Sequence, residues 1–316
     1  MQDANATILQ TPINNEESLI TGSSSLMSEK PCTACNGMNM SKSQICKGGA
    51  PFSLDDQNFG SVYREIMNSI IEPPKFNKMF NQGTASTKLE IVLIELRSNL
   101  ESLFTSALYN IAHIYGGTDV ALTIICSADA YSQVTDIIDD QWSNVRIING
   151  TESGKKFGIR EYNKMLTDRK FWDNFDSRFI LITHIDSVLF RKLDDWMYDY
   201  SMIGSSWGDW QPAPNGKPRV GNGGYTLRNV NSMKYVLKTE KSYIAEHPDG
   251  GAPEDVWWHY KIQNLPSESK ALEFSAENFT LDDLIPTGGH KLFGKPSMKT
   301  MGKAFRFLQE QYARCI

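Results

Sequence analysis

Apolar and polar positions change rhythm several times along this chain. Leu89-Glu90-Ile91-Val92-Leu93-Ile94-Glu95-Leu96 is a near-continuous apolar, β-branched run of strand length, the mark of a strand covered on both faces. Ser98 and Glu101 have the spacing of a capping box. Leu100, Leu103, Phe104, Ala107, Leu108 and Ile111 then recur at helical period until Gly116-Gly117, which predicts a helix with both ends marked. Further strand patterns over Val120–Cys126, Val145–Ile148 and Phe179–Thr183 alternate with helical patterns over Ala128–Ile138 and around Ile159–Lys170. Such β-α alternation predicts an α/β fold, a Rossmann-like, mostly parallel sheet with helices on its faces.

The flanks differ. Residues 1–50 contain no Phe, Tyr or Trp and show no sustained apolar period, so they cannot offset their ordering entropy by burial. The expected division is a disordered tail over 1–52, a helical lead-in over 53–86 and one domain over 87–316. In the lead-in, Val62, Ile66, Ile70 and Ile71 suggest a short helix stopped by Pro73-Pro74. After Asp186 the pattern breaks into short elements, turns and aromatics, including Trp196, Trp207, Trp210, Trp257 and Trp258, as expected of a substrate-facing half.

Composition narrows the function classes. The 316 residues carry 32 basic and 37 acidic side chains, a net charge of −5, too mild for a nucleic-acid footprint or a polybasic membrane anchor. With 40% apolar and 11% aromatic residues the chain suits a globular core rather than wholesale disorder. No apolar run approaches the roughly 18 to 20 residues of a membrane helix, and the start does not read as a signal peptide, so a cytoplasmic location is expected. Five cysteines, at 32, 35, 46, 126 and 315, do not form a disulfide framework. Cys32, Cys35 and Cys46 offer three of the four ligands a structural zinc takes, without a histidine near them.

Candidate chemistry concentrates in four segments. In open α/β sheets ligands bind beyond the carboxyl ends of the strands, and Thr183-His184-Ile185-Asp186-Ser187 ends the fourth strand. Asp186 there is either a turn cap or a ligand for a hard divalent cation; if the strand pattern continues, His184 points the same way and tilts the choice towards Mn²⁺ over Mg²⁺. Gly221-Asn222-Gly223-Gly224 allows positive φ and close backbone approach, or makes a hairpin turn at Asn222-Gly223. Upstream, Trp207-Gly208-Asp209-Trp210 and a Pro-rich loop read as a flap whose aromatic faces suit sugar rings. Pro253-Glu254-Asp255-Val256-Trp257-Trp258 sets two acids beside an apolar wall, which raises a carboxyl pKa and makes a usable proton acceptor; the same residues also suit a helix start. Gly288-Gly289-His290-Lys291 and Lys295 either complete a metal and phosphate site or form a surface loop. His113 reads as a helix-face residue, His247 and His259 as peripheral.

Taken in order, His-Ile-Asp-Ser, Asp199-Tyr200-x-x-Ile203-Gly204-x-x-Trp207, Gly-Asn-Gly-Gly-Tyr-Thr-Leu-Arg and Glu-Asp-x-Trp-Trp resemble a family of GT-A-type glycosyltransferase-like domains. Its usual pattern is close to Q-T-D-S, D-Y-x-x-I-G-A-P-W, G-N-G-G-F-S-L-R and E-D-x-x-F, and the match covers about residues 88 to 296. The resemblance implies a GT-A fold and transfer of a sugar from a nucleotide-sugar donor, by family habit a UDP-sugar, to a hydroxyl acceptor on a glycan, protein or small molecule. It implies Asp186, His184 and His290 as ligands of Mn²⁺ or Mg²⁺. Glu95 and Arg97 would lie near the base, Trp207, Asn222, Gly223 and Gly224 at the sugar, and Lys295 at the diphosphate. It further implies the Glu254–Asp255 pair as the catalytic acids, with Asp255 taking the acceptor proton in an inverting displacement. His184 stands where a D-x-D motif has its first acid. The competing readings are an inactive carbohydrate-binding or structural protein with the same fold, and a metal-dependent phosphoesterase using the same crevice.

Overall fold

The computed structural model describes residues 77–98, 100, 102–138, 142–154, 157–208, 216–277, 284–291 and 307. The tail, its cysteines, most of the lead-in, Glu101, residues 209–215 and Lys295 lie outside the described residues.

Among the described residues nine strands are formed: β1 (Leu89–Glu95), β2 (Val120–Cys126), β3 (Val145–Asn149), β4 (Phe179–Thr183), β5 (Ser187–Leu189), β6 (Met202–Ile203), β7 (Tyr225–Asn229), β8 (Ser275–Ala276) and β9 (Gly288–His290). The larger sheet has the order β3-β2-β1-β4-β7-β6; β1 to β4 pair in parallel, and β7 runs antiparallel to both neighbours. This is the Rossmann-like, mostly parallel sheet the alternation predicted. The unbroken apolar runs have a direct cause: β1, β2 and β4 are buried at every position because helices cover both faces. Side chains alternate across the pleat, so Ile91 and Leu93 enter one core with Phe104, Leu108 and Leu181, whereas Val92 and Ile94 enter the other with Ile182, Trp172 and Trp258.

The α-helices among the described residues are α1 (Ser102–Tyr115), α2 (Tyr131–Ile137), α3 (Ile159–Leu166), α4 (Arg169–Trp172), α5 (Val230–Thr239), α6 (Tyr243–Glu246), α7 (Glu254–Lys261) and α8 (Glu268–Phe274). Two boundaries differ from expectation. α1 runs from Ser102, with Leu100 not helical, rather than from just after Ser98; before it, Glu95 Oε1 accepts from the Arg97 backbone N–H at 2.9 Å. The helix expected over 159–170 is two, since Asp168 accepts from Lys170 N–H and starts a new turn. α1 ends as its glycines predict, with Gly117 at φ 72°. Of the lead-in, residues 77–81 run along the sheet: Phe80 stacks on Trp142, and Asn81 N–H donates to Val120 O at 2.8 Å.

A small second sheet, β5-β9-β8, sits past the end of β4. Its antiparallel pairing of β5 with β9 sets Ser187 opposite His290. Among the described residues no helix is long and apolar enough to cross a membrane.

Candidate functional site

The carboxyl ends of β1 and β4, the loop entering β7 and the start of α7 open into one crevice of about 970 Å³. Its walls include Glu95, Arg97, His184, Asp186, Trp207, Asn222, Gly223, Gly224, Glu254, Asp255 and His290, so eleven separately predicted side chains meet in one place. Lys295 lies outside the described residues; Lys291 lines the crevice.

β4 stops at Thr183, and His184 to Asp186 form a turn closed by Ser187 N–H to His184 O at 3.0 Å. His184 and Asp186 therefore face each other through that turn, not by strand alternation as the sequence suggested. His184 Nδ1 is 4.0 Å and His290 Nε2 3.4 Å from Asp186 Oδ1, and one ligand atom from each of the three residues lies within 4.8 Å of the others. His290 Nε2 is buried and makes no hydrogen bond among the described residues. Burial opposes charge on His290, yet the adjacent carboxylates of Asp186 and Glu277 outweigh it and raise the pKa. Burial also opposes charge on Asp186, but His290 and His184 beside it hold its carboxyl far below the usual range. His184 is driven down to about 3, first by burial and then by His290. An ionised carboxylate with two imidazole nitrogens converging on it makes a donor set that fits a divalent cation.

The glycine loop has a different logic from that expected. None of Gly221, Gly223 and Gly224 takes positive φ; what they permit is close approach by the chain's own side chains. A Cβ on Gly224 would lie 2.2 Å from His290 Nε2, one on Gly223 2.8 Å from Glu254 Oε1, and one on Gly221 2.4 Å from the Trp207 ring. Asn222 is the loop's tie rather than a hairpin corner. Its Oδ1 accepts from the N–H groups of Gly224 and Tyr225, which turns its Nδ2 to Glu277 Oε2 at 2.5 Å. Trp207 is 4% exposed and packs on His259, which is itself buried with Nδ1 2.9 Å from Val220 O. His259 is thus a core support of the loop, not the peripheral residue its sequence context suggested.

At α7 the two acids part company. Glu254, expected among the catalytic acids, is buried and clasped by Arg228, Nη1 to Oε2 at 2.8 Å and Nη2 to Oε1 at 2.9 Å. Among the described residues Asp255 has no such pair. Burial, then the neighbouring Glu254 charge, raise its pKa to about 7, with Arg228 pulling the other way. Trp258 is fully buried with its ring edge-on to Trp172 at 5.7 Å, which anchors this helix to the core; neither Trp257 nor Trp258, expected as an apolar wall beside the acids, is among the residues lining the crevice. At the far wall Glu95 binds Arg97 through Nε at 2.9 Å and Nη2 at 2.5 Å, while half of Arg97 stays exposed.

Three contributors had no separate signal in the sequence: Arg228, Tyr162 and Glu277. Arg228 ends the glycine-loop motif, but its partnership with Glu254 follows only from β7 lying against the start of α7.

Residues 151–290 match the model of a family described as a protein of unknown function (DUF5672), a span containing His184, Asp186, the glycine loop, Glu254, Asp255 and His290. No curated protein matches the chain. Similar solved structures include the galactosyltransferase LgtC in complex with donor and acceptor sugar analogues, at 14% identity over 70% of this chain and 95% of that one, TM-score 0.47. The glycosyltransferase GlyE of Streptococcus pneumoniae TIGR4 is similar at 10% identity over 72% of this chain and 64% of that one, TM-score 0.41.

Proposed function

We propose that this chain is a metal-assisted glycosyltransferase that moves a sugar from a nucleotide-sugar donor to a hydroxyl acceptor with inversion. The observation that carries the reading is that a His184–Asp186–His290 donor set and an unpaired acid with a pKa of about 7, Asp255, open into the same crevice as the Asn222–Gly224 loop. Two imidazoles with one carboxylate suit Mn²⁺ better than Mg²⁺. Bound there, the cation supplies Lewis acidity for the departing diphosphate. Lys291, on the same wall, offers an ammonium to the diphosphate oxygens in the part first given to Lys295. Asp255 accepts the proton of the attacking hydroxyl, a task its raised pKa suits, because a base works best with a pKa near the working pH. Glu254, neutralised by Arg228, steadies the first turn of α7 and so the aim of Asp255. Uridine as the base rests on the motif resemblance, with Glu95 and Arg97 as the wall beside it.

The inactive carbohydrate-binding reading requires the metal ligands to be apart or Asp255 to be turned from the crevice. The 3.4 Å between His290 and Asp186, and Asp255 in the crevice wall, support the enzyme instead. The test is thermal unfolding with uridine, guanosine and cytidine diphosphates and their sugar conjugates, each with and without Mn²⁺. Stabilisation follows occupancy of the folded state, about 2.7 kcal/mol at a hundred times the dissociation constant. The expected result is a shift that requires both Mn²⁺ and one diphosphate nucleotide, followed by release of that diphosphate with an inverted anomeric centre. No shift with any of them overturns the proposal in favour of the inactive reading.

A further inference from the structure

The outer nitrogens of both histidines in the donor set are held by residues that also hold the glycine loop. His184 Nε2 lies 2.8 Å from the Tyr162 hydroxyl, which is 2.7 Å from Gly223 O. A carbonyl only accepts, so the single hydroxyl proton goes to Gly223 O and the hydroxyl oxygen must accept from His184 Nε2–H. That fixes the tautomer: Nδ1 of His184 keeps its lone pair and faces Asp186. On the other side His290 Nδ1 lies 3.2 Å from Glu277 Oε1. The Nδ1 contact meets hydrogen-bond geometry and the 3.4 Å approach of Nε2 to Asp186 does not, so the proton is assigned to Nδ1 and Nε2, buried, turns its lone pair towards Asp186. The second oxygen of Glu277 takes the Asn222 amide at 2.5 Å. His184 N–H and Ser187 Oγ both donate to Gly224 O, at 3.1 and 2.8 Å, so the loop is tied to the turn that carries Asp186 as well.

We propose that Tyr162 and Glu277 are positioning residues that set the tautomers of His184 and His290 and tie the Asn222–Gly224 loop to the cation site, so that the loop and the ligand set form as one unit. The proposal rests on the ion reading given under Proposed function and adds to it which residues, touching no ion themselves, decide its affinity. Partners of this kind raise ligand basicity and fix ring orientation, and losing one costs about 10- to 100-fold in metal affinity. The two arms are chemically different, which makes them separable. Tyr162 is replaceable only by a residue with a hydroxyl at that point. Glu277 needs one oxygen for the ring and one for Asn222.

The test uses the full chain and Mn²⁺ alone as the probe, with dissociation constants read by the paramagnetic resonance signal of free Mn²⁺. Long-range proton–nitrogen NMR correlations on the metal-free protein, at an alkaline pH where the rings are neutral, report each tautomer directly. The wild type is expected to carry the proton on Nε2 of His184 and on Nδ1 of His290. Tyr162→Phe should mix the His184 tautomers alone, Glu277→Leu those of His290 alone, and each should weaken Mn²⁺ about 10- to 100-fold. Glu277→Gln can keep its one oxygen for His290 Nδ1–H but then sets an NH2 against the Asn222 amide, so it should retain the tautomer and bind Mn²⁺ more weakly than wild type and more tightly than Glu277→Leu. A residue that merely braced the loop would leave both tautomers as they are and make the Gln and Leu variants equally weak. That result, or unchanged Mn²⁺ affinity in both Tyr162→Phe and Glu277→Leu, overturns the proposal. Absence of Mn²⁺ binding by the wild type overturns the ion reading instead, and the metal-free tautomers still decide the positioning roles.

Discussion

Replacing Arg228 with methionine removes the counter-charge of a buried acid while keeping most of the side-chain volume. The Arg228 and Glu254 side chains are 0% and 2% exposed and joined by hydrogen bonds of 2.8 and 2.9 Å, so neither has solvent to fall back on. Breaking such a pair by deleting one partner costs about 3 to 5 kcal/mol, because the remaining charge stays buried. At roughly 2 to 4 °C per kcal/mol for a domain of this size, the melting temperature should fall on the order of 10 °C. The deficit should also depend on pH. Without the guanidinium the folded chain relieves the buried charge by taking up a proton, so it binds more protons than the unfolded chain, and the deficit shrinks as pH falls. Adding Glu254→Gln to Arg228→Met should recover part of the loss at neutral pH. Arg228 also opposes the upward shift of Asp255, so in the single variant the acidic limb of the rate profile should move to higher pH. Urea unfolding at roughly pH 8 and roughly pH 5 measures the stability terms. A deficit under about 1 kcal/mol, the value of an exposed pair, or one identical at both pH values, refutes the reasoning.

Asp255→Asn should lower turnover about 10²- to 10⁴-fold, and the wild-type rate should rise with pH through about 7 as the base ionises. The folded pKa of Asp255 lies above its ordinary value, so its ionisation costs stability once pH passes that point. The same variant should therefore melt higher than wild type at alkaline pH, and a lower melting temperature there contradicts the burial argument. Asp186→Ala should abolish Mn²⁺-dependent stabilisation and turnover while moving the metal-free melting temperature little; normal turnover would remove Asp186 from the ion site. Gly224→Ala, whose new Cβ would press on His290 Nε2, should abolish Mn²⁺ binding and cost about 1 to 3 kcal/mol of stability by overpacking. Undiminished affinity in that variant would mean that His290 is not a ligand.

Much of the architecture is a local property of this sequence. Continuous β-branched runs in β1, β2 and β4 can be satisfied only between two covered faces, and the alternation of those runs with helical periods leaves a parallel sheet as the simple solution. That sheet puts Asp186, just past β4, at the edge where open α/β sheets bind ligands, and the adjacent acids Glu254 and Asp255 already suggest a carboxyl of raised pKa, which burial and the Glu254 charge produce at Asp255. Which acid would be free was not local. It depends on Arg228, at the other end of a strand-to-helix contact, choosing Glu254 and leaving Asp255. Likewise the glycines looked like room for a ligand, and the structure fills that room with His290, Glu254 and Trp207. His290 becomes a neighbour of Asp186 only because β9 pairs with β5, and Glu277 reaches it only because β8 pairs with β9. Periodicity and composition report whether a position is buried, since burial is set by nearest neighbours along an element. Which polar atom meets which is set by the pairing of distant elements, and there only the tertiary structure decides.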